Sequence, residues 1–227
     1  MRNISKYTLE DPSSFPVNLY EFMQEMQVYG AAIKEMQTKL EILNTEFKIK
    51  YDYNPIHHIE SRLKQPSSIF EKLEKNHYPL TISSMQEHLN DIAGIRVICH
   101  YIDDVRRIAE MLIAQDDISL IRKKDYITSP KENGYRSLHL VLSIPIFLSN
   151  GRKIVRVEVQ IRTIAMDLWA SLEHHLHYKG STEISSELSD RLKKCAKTLQ
   201  SIDDEMQEIY LEIHGDTEYS RVHYMVR

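Results

Sequence analysis

The chain has 227 residues, 42% hydrophobic and 27% charged, with a formal net charge of -4, a balance that excludes a disordered chain and argues against a general nucleic-acid binder. Only six residues are glycine, which excludes a Gly-rich P-loop and a G-x-G-x-x-G dinucleotide fingerprint, so any phosphate bound here must be met by side chains. Residues 1–14 hold no apolar signal-peptide core, no run is long enough for a membrane span, and Cys99 and Cys195 form no CxxC pair, so a cytoplasmic protein without disulfides or a zinc ribbon is expected.

Apolar residues from Leu19 to Phe47 recur every three or four positions, which predicts an amphipathic helix over 17–51, ended at Asn54-Pro55. A shorter helix is expected over 67–76. The β-branched run 92–101 reads as a first strand, and Asp103 as the cap of a helix running to Gln115. Residues 118–127 and 137–148 read as further strands, and Ser149-Asn150-Gly151 as the hairpin turn into another. On that last strand Val155, Val157, Val159 and Ile161 alternate with Arg156, Glu158, Gln160 and Arg162, so one face is apolar and the other either meets water or lines a site. Thr163 is placed to cap a helix through Tyr178, with Gly180 past its end. The final helix, 186–214, repeats Leu188, Leu192, Cys195, Leu199, Ile202, Met206, Ile209 and Ile213 at alternating spacings of four and three, a heptad seam expected to pack on the sheet or on a second subunit.

The chemistry-bearing residues cluster. Between Ile121 and Arg162 nine Lys or Arg stand against three acids, a cationic island suited to a polyanion. Lys64, Ser68 and Lys72 step by four and share a face wherever the segment is helical. Asp91 precedes the first strand and Arg96 lies inside it, where a charge must face solvent or meet a partner. Asp91 and Glu158 could hold one Mg²⁺ if their strands are neighbours. Tyr135, beside Gly134, is either a base-stacking platform or a packing residue. His174 and His177 lack the spacing of a zinc helix.

Taken in order, Arg62-Leu63-Lys64, the hexapeptide Asp91 to Arg96, Gly134-Tyr135-Arg136-Ser137-Leu138-His139, the hexapeptide Glu158 to Thr163 and the run 169–179 closely resemble the synthetase domain of the RelA/SpoT family. The whole length resembles its stand-alone small alarmone synthetases, the RelP and RelQ type. The resemblance implies an α/β (α+β) fold, a mixed sheet of about five strands with a nucleotidyltransferase-like core and long terminal helices. A single synthetase domain over 1–227 is expected, with its catalytic core at 52–180 between helices at 17–51 and 184–215.

The implied activity is a GTP pyrophosphokinase that moves the β,γ-diphosphate of ATP to the ribose 3′-hydroxyl of GDP or GTP, with Mg²⁺ as cofactor. Arg62 and Arg96 would sandwich the adenine, and Lys64, Ser68 and Lys72 would hold the ATP phosphates. Asp91 and Glu158 would bind the metal, Glu158 also serving as general base with Gln160 nearby. Tyr135 would stack on guanine, with Lys131, Asn133, Arg136 and His139 around the acceptor and Arg122 and Lys124 toward its phosphates. The group is commonly homotetrameric. The resemblance leaves the preference for GDP or GTP, and regulation by alarmone or RNA, open; no DNA or membrane partner is expected. Hydrolysis is not expected either, since there is no His-Asp dipeptide and no room for the hydrolase or regulatory domains of longer relatives. Transfer to another acceptor on the same fold and a non-catalytic RNA-binding module are the competing readings.

Overall fold

The computed structural model describes residues 16–179 and 185–215. A long helix, α1 (Leu19–Tyr51), begins at Asn18, whose Oδ1 accepts from the Tyr20 and Glu21 amides, and ends at Asp52 in the left-handed conformation. The chain continues through β1 (Ile56–Leu63), α2 (Pro66–Lys75), α3 (Ile82–His88), β2 (Ala93–Cys99), α4 (Ile102–Ile113), β3 (Ser119–Asp125), β4 (Leu138–Leu148), β5 (Gly151–Thr163), α5 (Ile164–Lys179) and α6 (Ser186–His214). The five strands form one mixed sheet in the order β1-β2-β5-β4-β3. Only β2 and β5 run parallel among these neighbours, which makes them adjacent although more than fifty residues separate them in sequence.

Strand alternation divides the sheet into two faces. Ile95, Val97, Leu140, Leu142, Val157, Val159 and Ile161 are buried in a core shared with α1, α2 and α4. Register puts the opposite set side by side: Arg62 beside Gly94, Gly94 beside Glu158, Arg96 beside Gln160, Gln160 beside His139 and His139 beside Lys124. This polar face is the floor of the site described below.

Several expectations need correction. β1 and α3 carry no strong pattern in the sequence; β1 is an edge strand whose outer residues are largely exposed, so its apolar alternation is incomplete. α4 starts from Tyr101, not Asp103: the Asp104 carboxylate accepts from the Tyr101 amide at 3.2 Å, while the Asp103 amide donates to Gln207 at 3.0 Å. The heptad seam of α6 is covered within the chain only in part, where Leu192 and Leu199 pack against Trp169, Ala170 and Ala196. Leu188, Ile202, Met206, Ile209 and Ile213 are exposed, whereas Ala196 and Asp203 face inward, because α6 lies on α5 and α4 with its flank. Met23 of α1 is also exposed. Both cysteines are free, Cys99 buried and Cys195 exposed. Gly180 and the side chain of His177 lie outside the described residues. Among those described, no helix is long and apolar enough to cross a membrane.

α6 is held by a buried polar contact. The Thr163 hydroxyl, which also caps α5 at the Met166 amide, donates to the Asp203 carboxylate at 2.8 Å, and the Arg136 guanidinium lies 3.6 Å from it. Burial pushes the Asp203 carboxyl up to about 6, outweighing the Thr163 hydrogen bond and the Arg136 charge. A raised folded-state value means that the native chain binds more protons than the unfolded chain between about pH 4 and 6, so stability falls as pH rises through that window. Relative to Asp203→Asn, the wild type should lose on the order of 2 kcal/mol between pH 4 and pH 7. Urea unfolding at both pH values measures the difference, and a gap that does not change with pH contradicts it.

Candidate active site

A cleft of about 300 Å³ opens on the polar face between β1, β2 and β5, lined by Glu60, Ser61, Arg62, Asp91, Gly94, Ile95, Arg96, Glu158 and Gln160. Gly94 lies between Arg62 and Glu158 in the register, and the missing side chain leaves the floor open there. Asp91 stands at the entry to β2, where Lys64, just past β1, and Lys72, on α2, each donate to its Oδ2 at 2.8 Å. Burial works to raise the Asp91 carboxyl, but these two lysines overcome it and hold the group below its ordinary value. Its Oδ1 is buried without a hydrogen-bond partner in the described structure. Ser68 lies one turn before Lys72 on the same helix.

Glu158, at the middle of β5, accepts from Gln160 Nε2 at 3.1 Å and lies 3.7 Å from His139 Nδ1. Burial and the nearby Asp91 charge act to raise it, yet the hydrogen bonds and charge of His139, with Gln160, leave it lowered. Glu158 is therefore a carboxylate at neutral pH. Arg96 reaches Glu60 at 3.0 Å and Asp167 at 3.6 Å, which resolves how a charge is tolerated within an apolar strand.

A second group of residues adjoins this cleft beyond Gln160. The turn at 131–135 is closed by the Gly134 amide on the Lys131 carbonyl at 2.8 Å and the Lys131 amide on the Tyr135 carbonyl at 3.1 Å, with Gly134 at φ 93°. Asn133 Oδ1 accepts from the Tyr135 amide, and its amide group donates to Glu173. The Tyr135 ring sits edge-on to Tyr126 and His139, with the Lys131 ammonium 4.8 Å from its centre. The Tyr135 hydroxyl lies 2.8 Å from His139 Nε2 and accepts from Arg162. Arg122 and Lys124, exposed on β3, share the face of His139.

The structure therefore brings Arg62, Lys64, Lys72, Asp91, Arg96, Glu158 and Gln160 to one cleft and sets Tyr135, Lys131, Asn133 and His139 at its side. Arg136 does not join them. It is buried, and pairs with Asp203 under α6 instead of facing the cleft, because successive residues entering β4 point to opposite faces. Glu60, Tyr126 and Asp167 escaped the sequence reading. Glu60 could have been found only with β1 recognised; Tyr126 and Asp167 carry no local signal. Among the described residues no group of three or more His, Cys, Asp or Glu is placed to hold a metal ion.

Residues 61–183 match the family described as "Region found in RelA / SpoT proteins". Among curated proteins, the chain is 40% identical to the GTP pyrophosphokinase YwaC of Bacillus subtilis over 193 residues, 85% of this chain and 92% of that one. It is also 40% identical to the GTP pyrophosphokinase YjbM of the same organism over 186 residues, 82% of this chain and 86% of that one. Among solved structures, small alarmone synthetase 1 of Bacillus subtilis bound to its product pppGpp superposes with a TM-score of 0.78 at 37% identity, covering 85% of this chain and 98% of that one. With the match spanning the cleft, the lysine pair on Asp91 and the Tyr135 turn, the chain belongs to the RelA/SpoT family.

Proposed function

We propose that the protein is a (p)ppGpp synthetase, a GTP diphosphokinase that transfers the β,γ-diphosphate of ATP to the ribose 3′-hydroxyl of GDP or GTP and releases AMP. The observation that carries this reading is the pairing, on one sheet face, of a cation-lined cleft holding Asp91 and Glu158 with an aromatic platform at Tyr135. Two nucleotide seats on either side of a carboxylate suit diphosphate transfer between two polyanions, where positioning and charge neutralisation supply most of the rate.

In this mechanism Arg62 and Arg96 flank the adenine, and Lys64, Lys72 and Ser68 take the ATP phosphates. Tyr135 stacks on guanine, with Lys131, Asn133 and His139 beside it and Arg122 and Lys124 toward the acceptor's 5′-phosphates. Glu158 accepts the proton of the 3′-hydroxyl, and Gln160 and His139 hold its carboxylate in place. A lowered carboxylate is a weak base, but in a loose transition state the nucleophile's proton leaves late, so a well-placed acceptor suffices. Asp91 and Glu158 suit a Mg²⁺: the unpartnered Asp91 Oδ1 is a hard oxygen donor, and two carboxylates with substrate phosphates make an ordinary shell for this ion. When bound, it supplies charge neutralisation at the diphosphate.

We read the whole chain as one synthetase domain acting in the cytoplasm as a homotetramer. Leu168, Leu172 and Leu176 leave an apolar stripe exposed on α5, and α6 carries its exposed seam beside it; light scattering measures the assembly's mass. The decisive experiment incubates the protein with ATP, Mg²⁺ and either GDP or GTP. AMP and a guanosine product bearing a 3′-diphosphate are expected, whereas pyrophosphate release without AMP would mean nucleotidyl transfer instead.

A further inference from the structure

One carboxylate ties the two halves of the site together. Asp167, one turn into α5, presents its Oδ1 to Arg162 at 3.1 Å and to Arg96 at 3.6 Å. Its other oxygen accepts from the Ser171 hydroxyl at 3.5 Å. Arg162 is almost fully buried and spends its remaining donors on Gln160 Oε1 at 2.9 Å, the Ser137 hydroxyl at 3.3 Å and the Tyr135 hydroxyl. Arg96 carries its second ion pair to Glu60, and its Nε is buried without a partner in the described structure. A continuous chain of charged contacts therefore runs from the cleft wall through Asp167 to the aromatic platform, skirting Glu158.

We infer that Asp167 is a positioning residue for both nucleotides: it holds Arg96 against the donor base and, through Arg162, props Tyr135 for the acceptor base. The inference rests on the assignment of those two seats given above. Its physical basis is charge. Two guanidinium groups converge on one carboxylate oxygen; without the negative charge they repel, and the buried Arg162, still tied to Gln160, loses the contact that fixes the other end of its guanidinium. Arg96 then swings toward Glu60, and the Tyr135 hydroxyl loses a fixed donor. Neither movement touches the reacting oxygens, so Asp167 acts on binding and not on the chemical step.

The test measures the dissociation constants of a non-hydrolysable ATP analogue and of GDP separately by calorimetry, and kcat at saturation, for wild type, Asp167→Asn and Asp167→Glu. Loss of a charge-assisted contact is expected to weaken both nucleotides by about tenfold in the Asn variant, with kcat within about threefold of wild type. The Glu variant keeps the charge on a longer arm, so a smaller loss shared by both nucleotides is expected; it also provides the reading if the Asn variant fails to fold. A loss confined to one nucleotide overturns the inference, as does a fall in kcat with both affinities intact, or a lower melting temperature with no change in either. A wild-type protein that binds neither nucleotide removes the functional reading itself; one that binds both, beside variants that bind equally well, removes only the role of Asp167.

Discussion

Glu158→Gln is expected to lower kcat by about a thousandfold while leaving the fold and both nucleotide affinities close to wild type. Gln has the size of Glu and keeps an oxygen on β5, so the β2-β5-β4 register and the apolar face behind it at Val157 and Val159 are undisturbed. What disappears is the negative charge that, in the mechanism proposed above, receives the 3′-hydroxyl proton and, with Asp91, suits a divalent ion. Glu158 is only partly buried and is engaged by Gln160 and His139, so its removal costs little stability. Quenched-flow measurement of AMP release, beside thermal melting, reads both sides. A variant turning over within tenfold of wild type would take Glu158 out of the mechanism, and one that melts far lower would make it a structural residue.

The second large effect is expected at a residue with no chemistry. Gly134→Ala should destabilise the chain by about 3 kcal/mol and weaken GDP binding well before it affects ATP binding. Gly134 adopts φ 93°, which costs a side-chain-bearing residue about 1–2 kcal/mol. A Cβ there would also lie 2.6 Å from the Ala196 Cβ on α6, a contact that neither backbone relieves without moving. Since the turn carries Tyr135 at its end and α6 supports its back, either the platform tilts or the helix lifts. Ala196→Gly in the same chain removes the clash but not the φ strain, so the double variant should recover roughly half of the loss. Denaturant unfolding of the three variants decides it; full recovery or none would show that only one of the two causes operates.

Much of this was legible in the sequence for identifiable reasons. The alternation from Val155 to Ile161 is a direct consequence of the pleat, and it separates core from site on β5 without reference to any other strand. The Ser149-Asn150 hairpin and the ends of α6 follow from local turn and capping chemistry. Edge strand β1 escaped because its outer face is polar and its apolar positions are few, so nothing local distinguishes it from a loop. The apolar seam of α6 is legible as a seam, but whether the sheet or a second subunit covers it is not: periodicity says which residues share a face, never what covers it.

The sequence by itself determined the apolar and polar faces of the strands, the cationic middle third, the absence of any glycine phosphate cradle and, through five ordered motifs, the family. Those are properties of near neighbours in the chain, or of their order along it. Tertiary structure alone decided that β2 lies beside β5, that Lys64 and Lys72 close on Asp91, that Arg136 turns inward to Asp203 and that Asp167 joins Arg96 to Arg162. Each of these joins residues from separate elements. Such pairings are set by how the sheet is ordered and how α5 and α6 pack against it, and short-range periodicity carries no information about either. With no glycine loop to wrap a phosphate, the site depends on such distant side-chain pairings, so single charge removals should disable it.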